Sequence, residues 1–203
     1  EQDPRVYWNA IKTTARQILK TTRIDPRKIA AFTLDAMMLS VIPVDAAGRP
    51  VRKTILWLDV RATDFVSDYM NRFPMGDLLA KGIIPVASAK DPLPKLLWIK
   101  KKEPHIFAKA ARFVDVKDWI LYQCGVGDFY TDWTCACLWN YFNLNTHKPE
   151  RELIEDGIGI PMDRLSTLAK TTDVLGTLSP TPARELGLTT DTQVVCGCGD
   201  VPA

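Results

Sequence analysis

Val194-Val195-Cys196-Gly197-Cys198-Gly199-Asp200 is the stretch on which the fold turns: an apolar run, two glycines at alternate positions, then a carboxylate. Residues 192–196 predict a strand able to be buried on both faces. In open α/β sheets ligands lie beyond the carboxyl ends of strands, and glycines there let a ligand or another chain come close to the backbone. Asp200 is therefore either a group facing a substrate or the N-cap of a following helix, with Val201 kept extended by Pro202. The residues alone leave both roles open.

Upstream of this strand, residues 182–186 predict a short helix closed by Gly187, and residues 173–178 another strand. At the start of the chain Val6, Tyr7, Ile11, Ala15, Ile18 and Leu19 recur at spacings of three and four. That spacing predicts an amphipathic helix over residues 4–22, with Asp3 as its cap and Pro4 in its first turn. Residues 28–34 and 39–44 predict strands, residues 45–50 a turn, and residues 55–58 a short strand ending at Asp59. Helices are expected over residues 62–73, 95–102, 104–111 and 115–123, with short broken pieces around Pro85, Pro92 and Pro94. Residues 132–142, 151–155 and 162–168 read as further helical pieces. The order is α/β, without an internal repeat.

Composition sets the outer limits. The chain has 203 residues, 46% hydrophobic and 25% charged, which is long and apolar enough for a substantial core. Its 26 basic and 24 acidic residues leave a formal charge of +2, too little for the electrostatic footprint of a nucleic-acid binder. Lys100, Lys101 and Lys102 read as a solvated helix face. No run approaches the roughly 18 apolar residues of a membrane-spanning helix, so no membrane partner is expected. Five cysteines do not read as a disulfide framework, and a cytoplasmic location is expected.

Other clusters carry less. Asp59 and Arg61, two apart, read as an ion pair fixing a turn. Cys135, Cys137, Cys196 and Cys198, with Cys124, lack the usual spacing of zinc knuckles and read as buried free thiols, so no metal ligand is assigned. His105 and His147 have no serine or cysteine partner in an elbow motif. Neither a Walker-type loop nor a dinucleotide fingerprint occurs.

Several pieces in one order resemble the FGGY carbohydrate kinases, the family that includes xylulokinase and glycerol kinase. Ile55-Leu56-Trp57-Leu58-Asp59-Val60-Arg61 matches a Trp-x-Asp-x-Arg series after the turn at Asp45-Ala46-Ala47-Gly48-Arg49-Pro50. Lys95-Leu96-Leu97-Trp98, Lys117-Asp118-Trp119-Ile120 and Thr131-Asp132-Trp133 come next, and Val174-Leu175-Gly176-Thr177-Leu178, Ala183 to Leu188 and Gly197-Cys198-Gly199-Asp200 complete the series. The resemblance runs along nearly the whole chain.

It implies a ribonuclease H-like domain of the actin-like ATPase superfamily, a mixed sheet with flanking helices, covering residues 1–203. By that resemblance Asp200 is the catalytic base that takes the proton of a sugar or polyol hydroxyl attacking ATP, with Mg2+ as the accompanying ion. Met38, Leu39 and Trp133 fall at substrate positions together with Asp200, and Gly199 falls beside the nucleotide. Met38 leans towards the ketose kinases, whereas Leu39 offers no hydrogen bond where relatives carry a polar residue, and Val201 stands where they carry glutamine or asparagine. The chain is further expected to be truncated at both ends: a phosphate-binding Asp-x-Gly-Thr hairpin would precede Glu1, and a nucleotide-binding C-terminal domain would follow Ala203. The isolated chain is then expected to be inactive. The alternative is a sugar sensor or scaffold on the same fold. A homo-oligomer is compatible with either.

Overall fold

The computed structural model describes residues 1–201. Helix α1 (Arg5–Thr22) forms as the spacing predicts, and the Asp3 carboxylate accepts the Arg5 N–H at 3.0 Å. Its Trp8 is buried, and the indole N–H donates to Glu185 Oε2 at 2.8 Å. Three short strands follow: β1 (Ala31–Phe32), β2 (Asp35–Ala36) and β3 (Ile42–Val44). Helices α2 (Val66–Arg72), α3 (Met75–Ala80), α4 (Pro92–Lys102) and α5 (Pro104–Lys109) lead to β4 (Arg112–Val114) and α6 (Val116–Gln123). A reciprocal box between Asp115 and Asp118 starts α6. Then come β5 (Tyr130–Asp132), α7 (Trp133–Leu138), β6 (Phe142–Asn143), β7 (Lys148–Pro149), α8 (Arg151–Glu155) and β8 (Thr167–Ala169). The chain closes with β9 (Val174–Thr177), α9 (Pro180–Leu186), β10 (Gln193–Val195) and β11 (Cys198–Gly199). Gly187 ends α9 at φ +78°, as expected of a C-terminal glycine.

The sheet is mixed. Strand β10 lies between β1, to which it is parallel, and β9, to which it is antiparallel. Strands β3 and β4 pair antiparallel, Ile42 opposite Val114. Their alternation divides the core in two. Val41 and Phe113 enter one cluster, with Leu93, Leu96, Ile99 and Trp139, while Ile42, Val44 and Val114 enter the other, with Trp8, Trp119, Leu121 and Val194. One pleated pair thus fills two cores, because successive side chains point to opposite faces.

Four expectations are corrected. The strand expected at 28–34 shrinks to β1, because Asp25 caps a 3-10 turn over Pro26–Lys28 that uses its first residue. The strand expected at 55–58 is only a bridge from Ile55 to Val41, and Trp57 and Leu58 turn outward into solvent. Residues 162–168 form a 3-10 turn, Met162–Arg164, and then β8, not a helix. Strand β10 is not covered on both faces: Gln193 is exposed and Val194 buried. No helix among the described residues is long and apolar enough to cross a membrane.

Candidate active site

Asp200 stands at the end of an interrupted pair of parallel strands. Ala31 and Phe32 face Gln193 and Val194, and the same two chain segments pair again as Asp35 and Ala36 with Cys198 and Gly199. Between the pairings Thr33 and Leu34 oppose Val195, Cys196 and Gly197, so one side holds an extra residue. Such a bulge bends a strand and re-aims the residues after it. Gly197 absorbs it at φ +69°, where a Cβ would stand 2.0 Å from the Leu34 carbonyl oxygen. The ladder then resumes as far as the Asp200 N–H, which donates to the Ala36 carbonyl at 3.0 Å. Asp200 itself is exposed. Its backbone is fixed and its carboxylate faces out.

Met38 is buried beside it. A Cβ on Gly199 would lie 2.0 Å from Met38 Sδ, so only glycine lets the thioether come this close. Leu39, expected to open a strand, instead has φ +65°. A leucine in that left-handed region carries about 1–2 kcal/mol of strain, and such strain persists only where the surroundings impose it. Lys95 imposes it here: its Nζ donates to the Leu39 carbonyl at 2.8 Å and to the Leu56 carbonyl at 2.9 Å. The Lys95 side chain is fully buried, and burial pushes its ammonium down to about 8, against the opposing pull of Asp115 and Asp59.

Trp133 begins α7, which Asp132 caps by accepting the Thr134 N–H at 2.7 Å. Its half-buried ring stacks on His147 with ring centres 4.6 Å apart and packs against Phe142 at 5.7 Å. The next residue, Thr134, reaches the Asp200 turn: its Oγ1 accepts the Gly199 N–H at 3.0 Å. Met38, Gly199, Asp200 and the start of α7 therefore meet at one place. Leu39 joins them through its backbone, and the ring contacts of Trp133 are with His147 and Phe142.

Behind this face lies a cluster of buried charges. Lys117 and Asp132, both without solvent exposure, pair at 3.1 Å, and Lys117 Nζ also donates to the Cys196 carbonyl at 3.3 Å. Burial alone would lower the Lys117 value, but Asp118 above all, with Asp132, raises it over the ordinary lysine range. Burial raises Asp132, yet the Lys117 ammonium and the Thr134 hydroxyl outweigh it and hold the carboxyl low. Asp115 and Asp118 lack so close a cation, and burial pushes them up to about 7 and about 6.

Lys95, Lys117 and Thr134 carry no functional motif of their own in the sequence, although both lysines open stretches that resemble the kinase family. The signal available is position: both lysines sit among apolar residues on helices whose neighbours are buried. Asp59 and Arg61 do pair, at 2.7 Å, as expected. Cys124, Cys135, Cys137 and Cys196 are buried free thiols, and Cys198 is half-buried. Among the described residues no three His, Cys, Asp or Glu side chains are grouped to hold a metal ion.

The larger cavities lie elsewhere. One of about 870 Å³ is lined by Asp45, Arg49, Lys53, Trp119 and Tyr122, and one of about 520 Å³ is an apolar groove between Ile11, Ile18 and Phe32. Neither contains Asp200, Met38, Leu39 or Trp133. The larger is the worse chemical candidate, because its Asp45 and Arg49 are already paired with each other at 2.8 Å.

Comparison with known proteins bears on this geometry. A family model described as "FGGY family of carbohydrate kinases, N-terminal domain" matches residues 1–203. The xylulose kinase of Staphylococcus epidermidis is 28% identical over 207 residues, covering 98% of this chain and 39% of that protein. The gluconokinase of Bacillus subtilis is 27% identical over 203 residues, with 98% and 38% covered. Among solved structures, the gluconate kinase of Lactobacillus acidophilus superimposes with a TM-score of 0.87 at 28% identity, covering 98% of this chain and 39% of that one. The chain thus spans about two fifths of the length of the relatives it matches.

Proposed function

The chain belongs to the FGGY family of carbohydrate kinases, and from that premise we propose that the full-length protein transfers the γ-phosphoryl group of ATP to a hydroxyl of a sugar or polyol, with Asp200 as general base. The observation that carries the reading is an exposed carboxylate on a fixed backbone at the carboxyl end of a sheet strand, beside the buried Met38. Phosphoryl transfer asks chiefly for positioning, charge neutralisation and a group to take the alcohol's proton. The substrate oxygen forms a bond to the γ-phosphorus, the bond from that phosphorus to the bridging oxygen breaks, ADP leaves, and the proton goes to an Asp200 carboxylate oxygen.

The other residues take roles consistent with their surroundings. Met38 and the Leu39 side chain offer an apolar wall, and the Leu39 carbonyl is already engaged by Lys95, so substrate hydroxyls are read elsewhere. Trp133 packs its ring edge or free face on the C–H side of the substrate. Gly199, implied by the resemblance to lie beside the nucleotide, instead seats Met38 in the space a Cβ would take and gives its N–H to Thr134, so it shapes the Asp200 turn rather than opening backbone to the phosphates. Mg2+ fits this chain only as an ion carried on the nucleotide, since the described residues hold no cage for it. When bound it neutralises charge on the transferring phosphoryl group. The rest of the nucleotide site is assigned to a domain beyond these residues and to a hairpin before them, and the setting to the cytoplasm, where ATP is abundant.

The names of the relatives favour a ketose or a sugar acid over glycerol. ADP release by the full-length protein, measured with xylulose, ribulose, gluconate, erythritol and glycerol, tests this. Release that depends on one of the first three is expected. A sugar that raises the melting temperature without any ADP release, across the whole set, would instead support a sugar-binding protein without catalysis; Leu39 and Val201 are the residues that favour that second reading.

A further inference from the structure

We propose that Lys117, Asp132 and Thr134 form a buried clamp that positions Asp200 for proton transfer, acting through the backbone of the turn that carries it. The proposal rests on the reading of Asp200 as the base.

The turn from Cys196 to Gly199 is gripped at both ends by one ion pair. At its first residue the Cys196 carbonyl accepts from Lys117 Nζ at 3.3 Å. At its last, the Gly199 N–H donates to Thr134 Oγ1 at 3.0 Å, and the Thr134 hydroxyl gives its own hydrogen to Asp132 Oδ2. Asp132 Oδ1 closes the circuit on Lys117 at 3.1 Å. A threonine hydroxyl has one hydrogen, so donating it to an ionised Asp132 turns a lone pair towards Gly199. The charge on Lys117 therefore orients the Thr134 hydroxyl by way of Asp132, and that hydroxyl fixes the residue next to Asp200.

Stability does not require this arrangement. Two buried charges lose their hydration, and apolar residues of similar volume commonly serve a core as well or better. What an apolar replacement cannot do is hold a bulged, glycine-containing turn by its carbonyl at one end and its N–H at the other. Where the parallel ladder is broken between Val194 and Cys198, the Cys196 and Gly197 N–H groups donate to the Asp173 and Thr171 carbonyls at 3.0 and 2.9 Å, and the clamp takes the Cys196 carbonyl and the Gly199 N–H, two groups that those bonds leave. Thr134 and the two charged residues are positioning residues and touch no reacting atom.

The test is a double-mutant cycle in the full-length enzyme, with single-turnover rates and sugar KM. Thr134→Val keeps the shape and removes the hydroxyl; Thr134→Ala is carried in parallel in case the added methyl disturbs packing. Misplacing a reacting group by the order of 1 Å lowers rates by about 10–100-fold, so that loss is expected in kcat, with KM for the sugar changed less than about threefold. Thr134→Ser should restore the rate. In an Asp200→Asn background, Thr134→Val should cause no further loss, because the group it positions is gone. Wild-type kcat in both Thr134→Val and Thr134→Ala, with Asp200→Asn inactive, overturns the clamp and leaves the base assignment standing. An equal loss in the Asp200→Asn background also overturns it, since the hydroxyl then acts elsewhere. Full turnover in Asp200→Asn alone is the separate result that removes the base.

Discussion

Two buried lysines hold the two segments that border the site, and they do so under opposite electrostatic conditions. Lys95 grips the carbonyls of Leu39 and Leu56, has no carboxylate at ion-pair distance among the described residues, and is pushed by burial down to about 8. Lys117 grips the Cys196 carbonyl with Asp132 at 3.1 Å and has its value raised. Both ammonium groups lie in the core, so the nearby carboxylates around Lys117, Asp118 first and the paired Asp132 after it, are what separate them. Lys95 carries its charge reluctantly and works as a hydrogen-bond donor. Lys117 works as a charge, and removing it exposes the core to an uncompensated carboxylate.

The segments they hold differ in the same sense. Each turns through a positive φ, one at Gly197 and one at Leu39. Glycine accepts that conformation without a Cβ penalty, whereas leucine must be held in it. The first turn is free in conformation and needs its ends fixed; the second is strained and needs one carbonyl fixed.

Breaking the stronger partner should cost most. Lys117→Met strands Asp132 in the core and should lower the domain's stability by roughly 3–5 kcal/mol, read by thermal or denaturant melts. Gly197→Ala comes next: an alanine at positive φ carries about 1–2 kcal/mol, and the contact with the Leu34 backbone adds to it. Lys95→Met should cost only about 1–2 kcal/mol, because two carbonyls lose their donor while a poorly solvated charge is also removed. An effect of similar size separates the two lysines through pH. The folded state releases the Lys95 proton near pH 8, and the unfolded chain retains it to the ordinary lysine value of 10.5. Over that window the unfolded state binds more protons, so stability from this group rises with pH, by at most about 1.4 kcal/mol per unit. Melts from pH 7.5 to 9.5 should therefore show wild type gaining on Lys95→Met. A gap that stays constant would mean that Lys95 is not desolvated in solution.

Much of the frame was legible because it is local. The three-and-four spacing of α1, the Asp115 start of α6 and the Gly187 end of α9 depend on neighbours in sequence, and all three form as expected. The glycines before Asp200 also announced a close approach, which the contacts at Leu34 and Met38 bear out. The hidden part is tertiary. Lys95 and Lys117 read as ordinary helical lysines, and only the packing of α4 and α6 into the core makes them donors to distant carbonyls. Leu39 read as strand because its composition is strand-like, and the carbonyl grip that bends it comes from residue 95. Trp57 and Leu58 read as strand for the same reason, yet the neighbouring segment pairs only as far as Ile55.

One variant reaches the role of Asp200 directly. In the full-length protein Asp200→Asn should lower kcat by about 10²–10⁴-fold, the range expected for loss of a general base, while calorimetry shows sugar binding within about threefold of wild type. Turnover within about tenfold of wild type, with binding intact, would contradict it.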